Sequence, residues 1–291
     1  MTAKLELYRI FREVARWGSI SEAAKQLYIS QSAVSQSVRQ LEEQLETPLF
    51  RRTGKGVLLT REGELLLGYA ASAVDLLAAG EEKLAAVRSL TDGTLEIAAS
   101  DTISRYLLLS RLERFHSRYP GIKLRIVNRT SPESAALLKS GRVDLAFINL
   151  PFEDEELSID RFLEVQDVFV ASPHQSQWLE QVFSLEEIAR LPLILLESKS
   201  NSRRYVEAFF RQKGLSLEPE IELGSHDLLL EFARIRLGVS CVIREFSRQY
   251  LDSGELTELR LAESIPARHI GIASLKGVAL SSAARRFLES E

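Results

Sequence analysis

Residues 30–45 read SQSAVSQSVRQLEEQL, and this stretch decides how the N-terminal part of the chain folds. Its apolar residues recur at three- and four-residue spacing, which predicts a helix with one buried stripe. Ser30 is a candidate N-cap, because its hydroxyl can accept a free backbone N–H of the first turn. The opposite face is polar and carries no acidic residue in its N-terminal half, as a helix that enters a major groove requires. The apolar stripe consists of Val34, Val38, Leu41 and Leu45.

An ordinary amphipathic surface helix would show the same pattern, so the neighbouring segments are needed to decide. Residues 21–27, SEAAKQL, predict a short helix, and Ser19 with Glu22 fits a capping box at its start. Only residues 28–30 separate the two helices, which is the spacing of a helix-turn-helix. Residues 48–60 then predict two short strands around a Gly-rich, basic tip, which is a wing. A first helix is predicted to support this pair through Leu7, Ile10, Phe11 and Val14.

Two sets of side chains are candidate DNA contacts. The charge distribution favours this interpretation, since residues 1–58 hold nine Lys/Arg and six Asp/Glu whereas the remainder holds 28 and 35. A basic head on an acidic body fits a DNA-binding module attached to another domain. The predicted base-reading residues are Gln31, Ser32, Ser35, Gln36 and Arg39. The predicted phosphate contacts on the wing are Arg51, Arg52, Thr53 and Lys55.

The run from Leu7 to Gly63 resembles the winged helix-turn-helix of LysR-type transcriptional regulators. The matching pieces are FREVARWGSISEAAKQLYISQSAVSQSVRQLEEQL and TPLFRRTGKGVLLTREGE. The rest of the 291-residue chain resembles the family more loosely, and its length suits the family. The resemblance implies a transcription regulator that binds a pseudo-palindromic operator in double-stranded DNA as a homodimer or homotetramer. RNA polymerase is then an expected partner.

Residues 60–89 predict one long helix with a seam that alternates by four and three residues. At about 1.5 Å per residue, such a helix would be on the order of 45 Å long and would leave its seam exposed. A partner helix is therefore expected, although a helix packed on its own domain is the alternative. In the resembled family this linker helix pairs two subunits. The predicted dimerisation residues are Leu66, Ala70, Ala73, Leu77, Leu84 and Val87, with Gly80 in the same seam.

From Thr94 onward the pattern changes to alternating strands and helices, which predicts mostly parallel sheets covered by helices. One strand is expected near 162–171, and a late strand at 268–273 is expected to return to the first unit. By resemblance, this part is a two-lobed α/β effector domain similar to periplasmic solute-binding proteins. The predicted fold class is α/β overall. Its parts are a winged helix-turn-helix (1–59), a linker helix (60–90) and an effector domain (91–291), with lobe one at about 94–162 and 268–291 and lobe two at about 163–267.

Hydroxyl and amide side chains cluster where predicted strands end and helices begin in this domain. Ligands of open α/β sheets bind at such loops, and free helical N–H groups suit a small anion such as a carboxylate. Lys199 or Arg203 could add positive charge, although ordinary helix capping explains the same Ser, Thr and Asn residues. The predicted effector contacts are Ser100, Thr102, Thr130, Ser131, Asn149, Ser200, Asn201, Ser202 and His226. Among them, the family resemblance favours Ser100, Thr102, Ser131 and Ser200.

Other function classes find little support in the sequence. We find no apolar run expected to span a bilayer and no signal-peptide core, so a cytoplasmic location without membrane contact is expected. The single cysteine, Cys241, cannot form an internal disulfide. No zinc-ligand spacing, cofactor motif or catalytic motif is recognisable, so no metal, cofactor or catalytic residue is predicted. The alternatives are a solute-binding protein for transport, or an α/β enzyme around adjacent Ser225, His226 and Asp227.

Overall fold

A computed structural model describes residues 3–54, 56–88, 93–175 and 181–290. The chain divides into two compact units. The first contains residues 1–91 together with 139–142, and the second contains residues 92–138 and 143–291. Lys55, the side chain of Val87 and the predicted helix end at residues 89–92 lie outside the described part, so the predictions made for them stay predictions.

The first unit begins with three helices, α1 (Leu5–Trp17), α2 (Ile20–Leu27) and α3 (Gln31–Gln44). Ser19 caps α2 by accepting the backbone N–H of Glu22, but the reciprocal bond of a capping box is missing because Glu22 pairs with Lys25 instead. Ser30 caps α3 by accepting the N–H of Ala33, as predicted. The helices enclose a small apolar core formed by Ile10, Val14, Ala23, Ala24, Val34, Val38 and Val57.

The wing is an antiparallel pair of strands, β1 (Phe50–Thr53) and β2 (Gly56–Leu59). It is fixed to the helices by a hydrogen bond from the Val57 N–H to the Gly18 carbonyl oxygen, at 2.9 Å. Gly56 lies so close to that carbonyl that a Cβ atom would stand 2.3 Å from its oxygen. A glycine is therefore required where the wing turns back toward α1.

Helix α4 (Arg61–Arg88) corrects one sequence expectation. Its segment Arg61–Glu81 is long and apolar enough, by length and composition alone, to cross a membrane. Ala70 and Val74 are nevertheless buried inside the first unit, and the Asp75 carboxylate accepts a 2.6 Å hydrogen bond from Arg12 of α1. Packing against the helix-turn-helix therefore accounts for part of the apolar composition of this segment.

Lobe one of the second unit contains a five-stranded sheet with the order β4-β3-β5-β14-β6. Strands β3, β4 and β5 are parallel, whereas β14 runs antiparallel to β5 and β6. The elements of this lobe are β3 (Thr94–Ala99), α5 (Asp101–Ile103), a π-helical turn (Ser104–Leu108), α6 (Leu109–Arg118), β4 (Lys123–Asn128), α7 (Ser131–Lys139), β5 (Leu145–Asn149) and β6 (Leu157–Val165).

Lobe two contains a second five-stranded sheet with the order β10-β9-β11-β7-β12. Its elements are β7 (Asp167–Ala171), β8 (Val182–Phe183), α8 (Leu185–Ala189), β9 (Leu193–Leu196), α9 (Asn201–Gln212), β10 (Ile221–Leu223), α10 (His226–Arg234), β11 (Val239–Ile243), a 3-10 turn (Arg244–Phe246), α11 (Arg248–Asp252), β12 (Thr257–Glu258) and β13 (Arg260–Leu261). The chain then returns to lobe one with β14 (Arg268–Leu275) and α12 (Ser282–Glu289).

Two details of the predicted sheets are wrong. The sheets are mixed, because β7 and β14 run against their neighbours. The single strand expected at 162–171 is two strands, β6 and β7, separated by Gln166. Of these, β6 begins earlier than expected. The Gln166 N–H donates to the Glu245 carboxylate at 2.9 Å instead of joining a strand ladder. Long-range contacts of this kind leave no local signature in the sequence.

Candidate functional site

Helix α3 presents its polar face to solvent. Val34, Val38 and Leu41 are buried against the rest of the first unit, which turns the opposite side outward. The first turn contains no acidic residue, so only neutral side chains surround its free backbone N–H groups. Of the predicted base-reading residues, Gln31, Ser32, Gln36 and Arg39 are exposed and Ser35 is half-buried.

Arg39 is held in place by a neighbour on the same helix. Its Nε donates to the Glu43 carboxylate at 2.8 Å, and both side chains are largely exposed. The pair stands one helical turn apart, a spacing at which exposed ion pairs are weak. Arg39 can therefore exchange Glu43 for a base or phosphate at little cost.

The wing is fixed to α3 by a residue that the sequence interpretation did not single out. The Glu42 carboxylate accepts the backbone N–H groups of Leu49 and Phe50, at 2.7 and 3.0 Å. This contact places Arg51 and Arg52 of β1, both exposed, beside the recognition helix. The signal in the sequence was an acidic residue late in a helix whose first half carries none.

The seam predicted on α4 needs a correction at its first two positions. Ala70 is 4% exposed and Leu66 is half-buried against the core of the first unit, so both side chains face their own unit. Their place on the exposed side is taken by Leu65 and Tyr69, at 67% and 69% exposure. From there the exposed stripe continues through Ala73, Leu77 and Leu84, as predicted.

A cavity of about 360 Å³ lies between the two lobes of the second unit. This volume falls within the roughly 300–1,000 Å³ typical of small-molecule pockets. The loops after β3 and β4 and the end of β5 line it from lobe one, and the loop before α9 lines it from lobe two. The structure brings eight of the nine predicted effector residues to this cavity: Ser100, Thr102, Thr130, Ser131, Asn149, Ser200, Asn201 and Ser202.

Some of these residues have structural hydrogen bonds and others do not. The Ser100 hydroxyl caps α5 by accepting the Ile103 N–H, and Thr130 donates through both its N–H and its hydroxyl to Glu133. These two bonds from Thr130 lower the pKa of Glu133. Ser200, in contrast, precedes the 12-residue helix α9 without capping it through its side chain. The N-terminus of α9 therefore keeps free N–H groups at the cavity.

Beneath the cavity lies a charged pair that the sequence interpretation missed. Arg268 and Asp167 are each 3% exposed and form a bidentate contact, with Nε–Oδ2 at 2.5 Å and Nη2–Oδ1 at 3.0 Å. Arg268 also donates to the side-chain oxygens of Asn149 and Ser202, at 2.7 and 2.9 Å. Burial lowers the pKa of Arg268, but its carboxylate partner raises that pKa by more, so the guanidinium stays charged.

Two predicted cleft residues lie elsewhere. His226 is 3% exposed and does not line the cavity, because its ring packs between Tyr106 and Phe246 and its Nε2 accepts the Ile243 N–H at 3.2 Å. Burial lowers the pKa of His226 to about 4, so the ring is neutral at pH 7. Arg203, considered as a source of positive charge, is buried and bonded to Glu207 and the Leu196 carbonyl.

A contact between the lobes surrounds this histidine. Tyr106, from the π-helical turn of lobe one, stacks on Phe246 with ring centroids 5.3 Å apart and donates to the Asp227 carboxylate of lobe two. Arg105 pairs with the same carboxylate at 3.1 Å. Burial and the hydrogen bond to Asp227 raise the pKa of Tyr106, so its phenol remains a donor. The side chains of His226 and Asp227, adjacent in the chain, therefore have structural partners of their own.

Family comparisons match nearly the whole chain. Residues 5–64 match the family described as "Bacterial regulatory helix-turn-helix protein, lysR family", and residues 88–290 match "LysR substrate binding domain". A "RuBisCO operon transcriptional regulator" of Allochromatium vinosum is 29% identical over 99% of this chain and 95% of its own length. The "HTH-type transcriptional activator CmpR" of Synechocystis sp. is 30% identical over 82% of this chain and 78% of its own length.

Solved structures share the fold. A full-length OxyR variant from Pseudomonas aeruginosa superposes with a TM-score of 0.62 at 21% identity, covering 100% of this chain and 93% of that one. Full-length CbnR complexed with its target DNA gives a TM-score of 0.62 at 18% identity, covering 99% and 98%. At these identities the superpositions establish the architecture of the two units.

Proposed function

Because the chain belongs to the family of LysR-type transcriptional regulators, we propose specific roles for its recognition helix, wing, linker helix and interlobe cavity. The family's function is DNA-binding regulation of transcription, modulated by a small molecule in the effector domain. The observation that carries the proposal is the capped, acid-free N-terminal half of α3, exposed beside the basic strand β1.

The exposed face of α3 is proposed to read bases, and the wing is proposed to set the register of the protein on the DNA. Gln and Arg side chains can make paired hydrogen bonds to adenine and guanine edges in the major groove, which suits Gln31, Gln36 and Arg39. Ser32 and Ser35 would add single contacts to bases or sugars. Charged and hydroxyl side chains on the wing meet phosphates, which carry no sequence information directly. The proposed wing contacts are Arg51, Arg52, Thr53 and Lys55.

Pairing of two chains is proposed through the exposed stripe of α4. A row of exposed apolar side chains on a helix of roughly 42 Å is costly in water and is covered when two such helices pack together. A dimer, or a tetramer built from it, would place two recognition helices on a pseudo-palindromic operator. RNA polymerase would be contacted at the promoter, and the protein would act in the cytoplasm through binding alone, without catalysis.

The effector is proposed to bind in the interlobe cavity. Because residues from both lobes line it, a ligand there contacts both and can shift their relative arrangement. Free hydroxyl groups and the uncapped N-terminus of α9 favour an anionic effector. Asp101, Glu133 and Glu197 also line the cavity, so the anion would bind away from these three carboxylates.

Immunoprecipitation of the protein with genomic DNA, followed by gel shift, tests the proposed role of α3. The recovered site should bind the wild type, and Arg39→Ala should weaken discrimination by roughly 1–3 kcal/mol without unfolding the protein. Gln40→Ala is the matched control, since Gln40 is exposed on the same helix outside the proposed reading set. Equal losses in both variants, or no recovered site, would contradict the proposal.

A further inference from the structure

The hydrogen bonds beneath the interlobe cavity can be oriented without ambiguity. An arginine guanidinium has only donors. The Asn149 atom 2.7 Å from Arg268 Nη1 must therefore be its oxygen, and Ser202 Oγ, 2.9 Å from Nη2, must accept. The backbone N–H of Asn149 likewise donates to Ser131 Oγ at 3.0 Å. Three cavity-lining side chains thus have an oxygen committed as an acceptor to a donor below or beside them.

This commitment leaves donors for the cavity. With its oxygen turned toward Arg268, the Asn149 carboxamide must turn its NH2 group the other way. Ser131 and Ser202 each keep a hydroxyl hydrogen that their accepted bond does not use. Within the described residues the Asn149 amide nitrogen has no hydrogen-bond partner. It is also not one of the fully buried polar atoms that lack a partner. It therefore remains open to a ligand.

We propose that Arg268, held by Asp167, is a positioning residue that fixes Asn149 and Ser202 as donors and so makes the cavity floor select an oxyanion. The inference rests on the proposed effector site in this cavity and adds the chemistry of the group that binds deepest. That group would be a carboxylate, phosphate or sulfate, whose charged oxygens accept hydrogen bonds. The buried pair is neutral as a whole, so the selection comes from the direction of the hydrogen bonds.

The buried pair also holds donors from both lobes at the site of such a ligand. Arg268 begins β14 and Asn149 ends β5, which belong to lobe one, whereas Asp167 and Ser202 belong to lobe two. A buried charge must keep its partners, because an unpaired charge in the interior is costly. The donors from the two lobes are therefore held in one cluster, ready for a single acceptor group.

The test uses phosphate, sulfate and acetate as probes, with acetamide as a neutral analogue, on the full chain at constant ionic strength. Thermal shift should show saturable stabilisation of the wild type by at least one oxyanion and none by acetamide. Asn149→Asp keeps an oxygen for Arg268 but turns a carboxylate oxygen to the cavity, so oxyanion affinity should fall at least tenfold.

Asn128→Asp is the matched control for charge. Asn128 lines the same cavity, but its amide is already bonded to Asp101 and Ser104, so oxyanion affinity should fall less than threefold. For Arg268→Lys, which keeps the charge and loses the planar fork, affinity for the oxyanion that stabilises the wild type should fall at least tenfold. A structural role alone would lower the melting temperature and leave that affinity unchanged.

Three results would overturn the inference: no oxyanion gives saturable stabilisation of the wild type; the two Asn→Asp variants lose affinity equally; or Arg268→Lys keeps the wild-type affinity for the oxyanion. The proposed function is read separately, by gel shift of the same variants. Each should still bind operator DNA, and loss of DNA binding by the wild type would instead contradict the proposed DNA-binding roles.

Discussion

The recognition helix and the floor of the interlobe cavity handle polar side chains in opposite ways. On α3 most of the proposed reading residues are exposed to solvent, and Glu43, the ion-pair partner of Arg39, is itself exposed. Beneath the cavity, Arg268 and Asp167 are almost completely buried and are joined to each other by two hydrogen bonds. The proposed DNA contacts would therefore be ordered by the target, whereas the donors of the proposed ligand site are ordered beforehand.

Placing charges on the exposed stripe of α4 should change the oligomeric state of the protein. Leu77→Glu together with Leu84→Glu would place four carboxylates in the proposed seam of a dimer, where unpaired charges are strongly disfavoured. Sedimentation velocity should then show a smaller species than the wild type at the same concentration. Leu58→Glu is the matched control, because Leu58 and Leu77 are both 50% exposed and only Leu77 lies on α4. An unchanged species in the double variant would remove the helix-pairing proposal.

The buried side of the comparison is tested by removing one partner of the ion pair. Arg268→Met leaves the Asp167 carboxylate buried without its partner, which should cost about 3–5 kcal/mol in the free energy of unfolding. Arg125→Met is the control, since Arg125 pairs with Glu96 at 2.9 Å but its side chain is 63% exposed. That pair should contribute less than about 1 kcal/mol. Urea denaturation measures both, and similar losses would show that burial does not separate the two pairs.

The histidine between the lobes makes the free energy of unfolding depend on pH. His226 has a folded-state pKa of about 4 against an ordinary value of 6.5, so the unfolded chain takes up a proton first as pH falls. The stabilisation is therefore complete above pH 6.5 and is lost as pH falls from 6.5 toward 4. Between pH 7 and pH 5 this residue should account for about 2 kcal/mol.

The measurement is urea denaturation at both pH values for the wild type and His226→Gln. The glutamine variant should lose less stability between pH 7 and pH 5 than the wild type, by about the 2 kcal/mol assigned to this residue. The exposed residues of α3 have no comparable environment, so Gln36→Ala should follow the wild-type pH profile. A His226→Gln profile parallel to that of the wild type would place the pH dependence in other groups.

The same difference explains which parts the sequence could predict. The signals of α3 lie within 16 consecutive residues, where spacing and capping follow local rules, and the structure has the predicted helix with Ser30 as its cap. Arg268 and Asp167 are 101 residues apart, so no local pattern joins them. His226 was misplaced because its position beside Ser225 suggested a loop facing the cavity. Its neighbours Tyr106 and Phe246 come from distant segments and enclose it.

The cavity loops fall between these extremes. Strand ends and helix starts could be located from periodicity, and the general rule for open sheets placed eight of the nine predicted residues at one cavity. What each one does there could not be predicted. The Ser100 hydroxyl caps its helix whereas Ser200 leaves its helix uncapped, although both were predicted from the same kind of position.

Quantitative gel shifts across salt concentrations distinguish the proposed reading of sequence by α3 from the proposed setting of register by the wing. Gln36→Ala should reduce the ratio of operator to nonspecific affinity about tenfold and leave the salt dependence unchanged. Arg51→Ala should weaken both affinities alike and reduce the slope of log affinity against log salt by about one. The proposal is contradicted if Gln36→Ala keeps full discrimination or if Arg51→Ala changes discrimination without changing the slope.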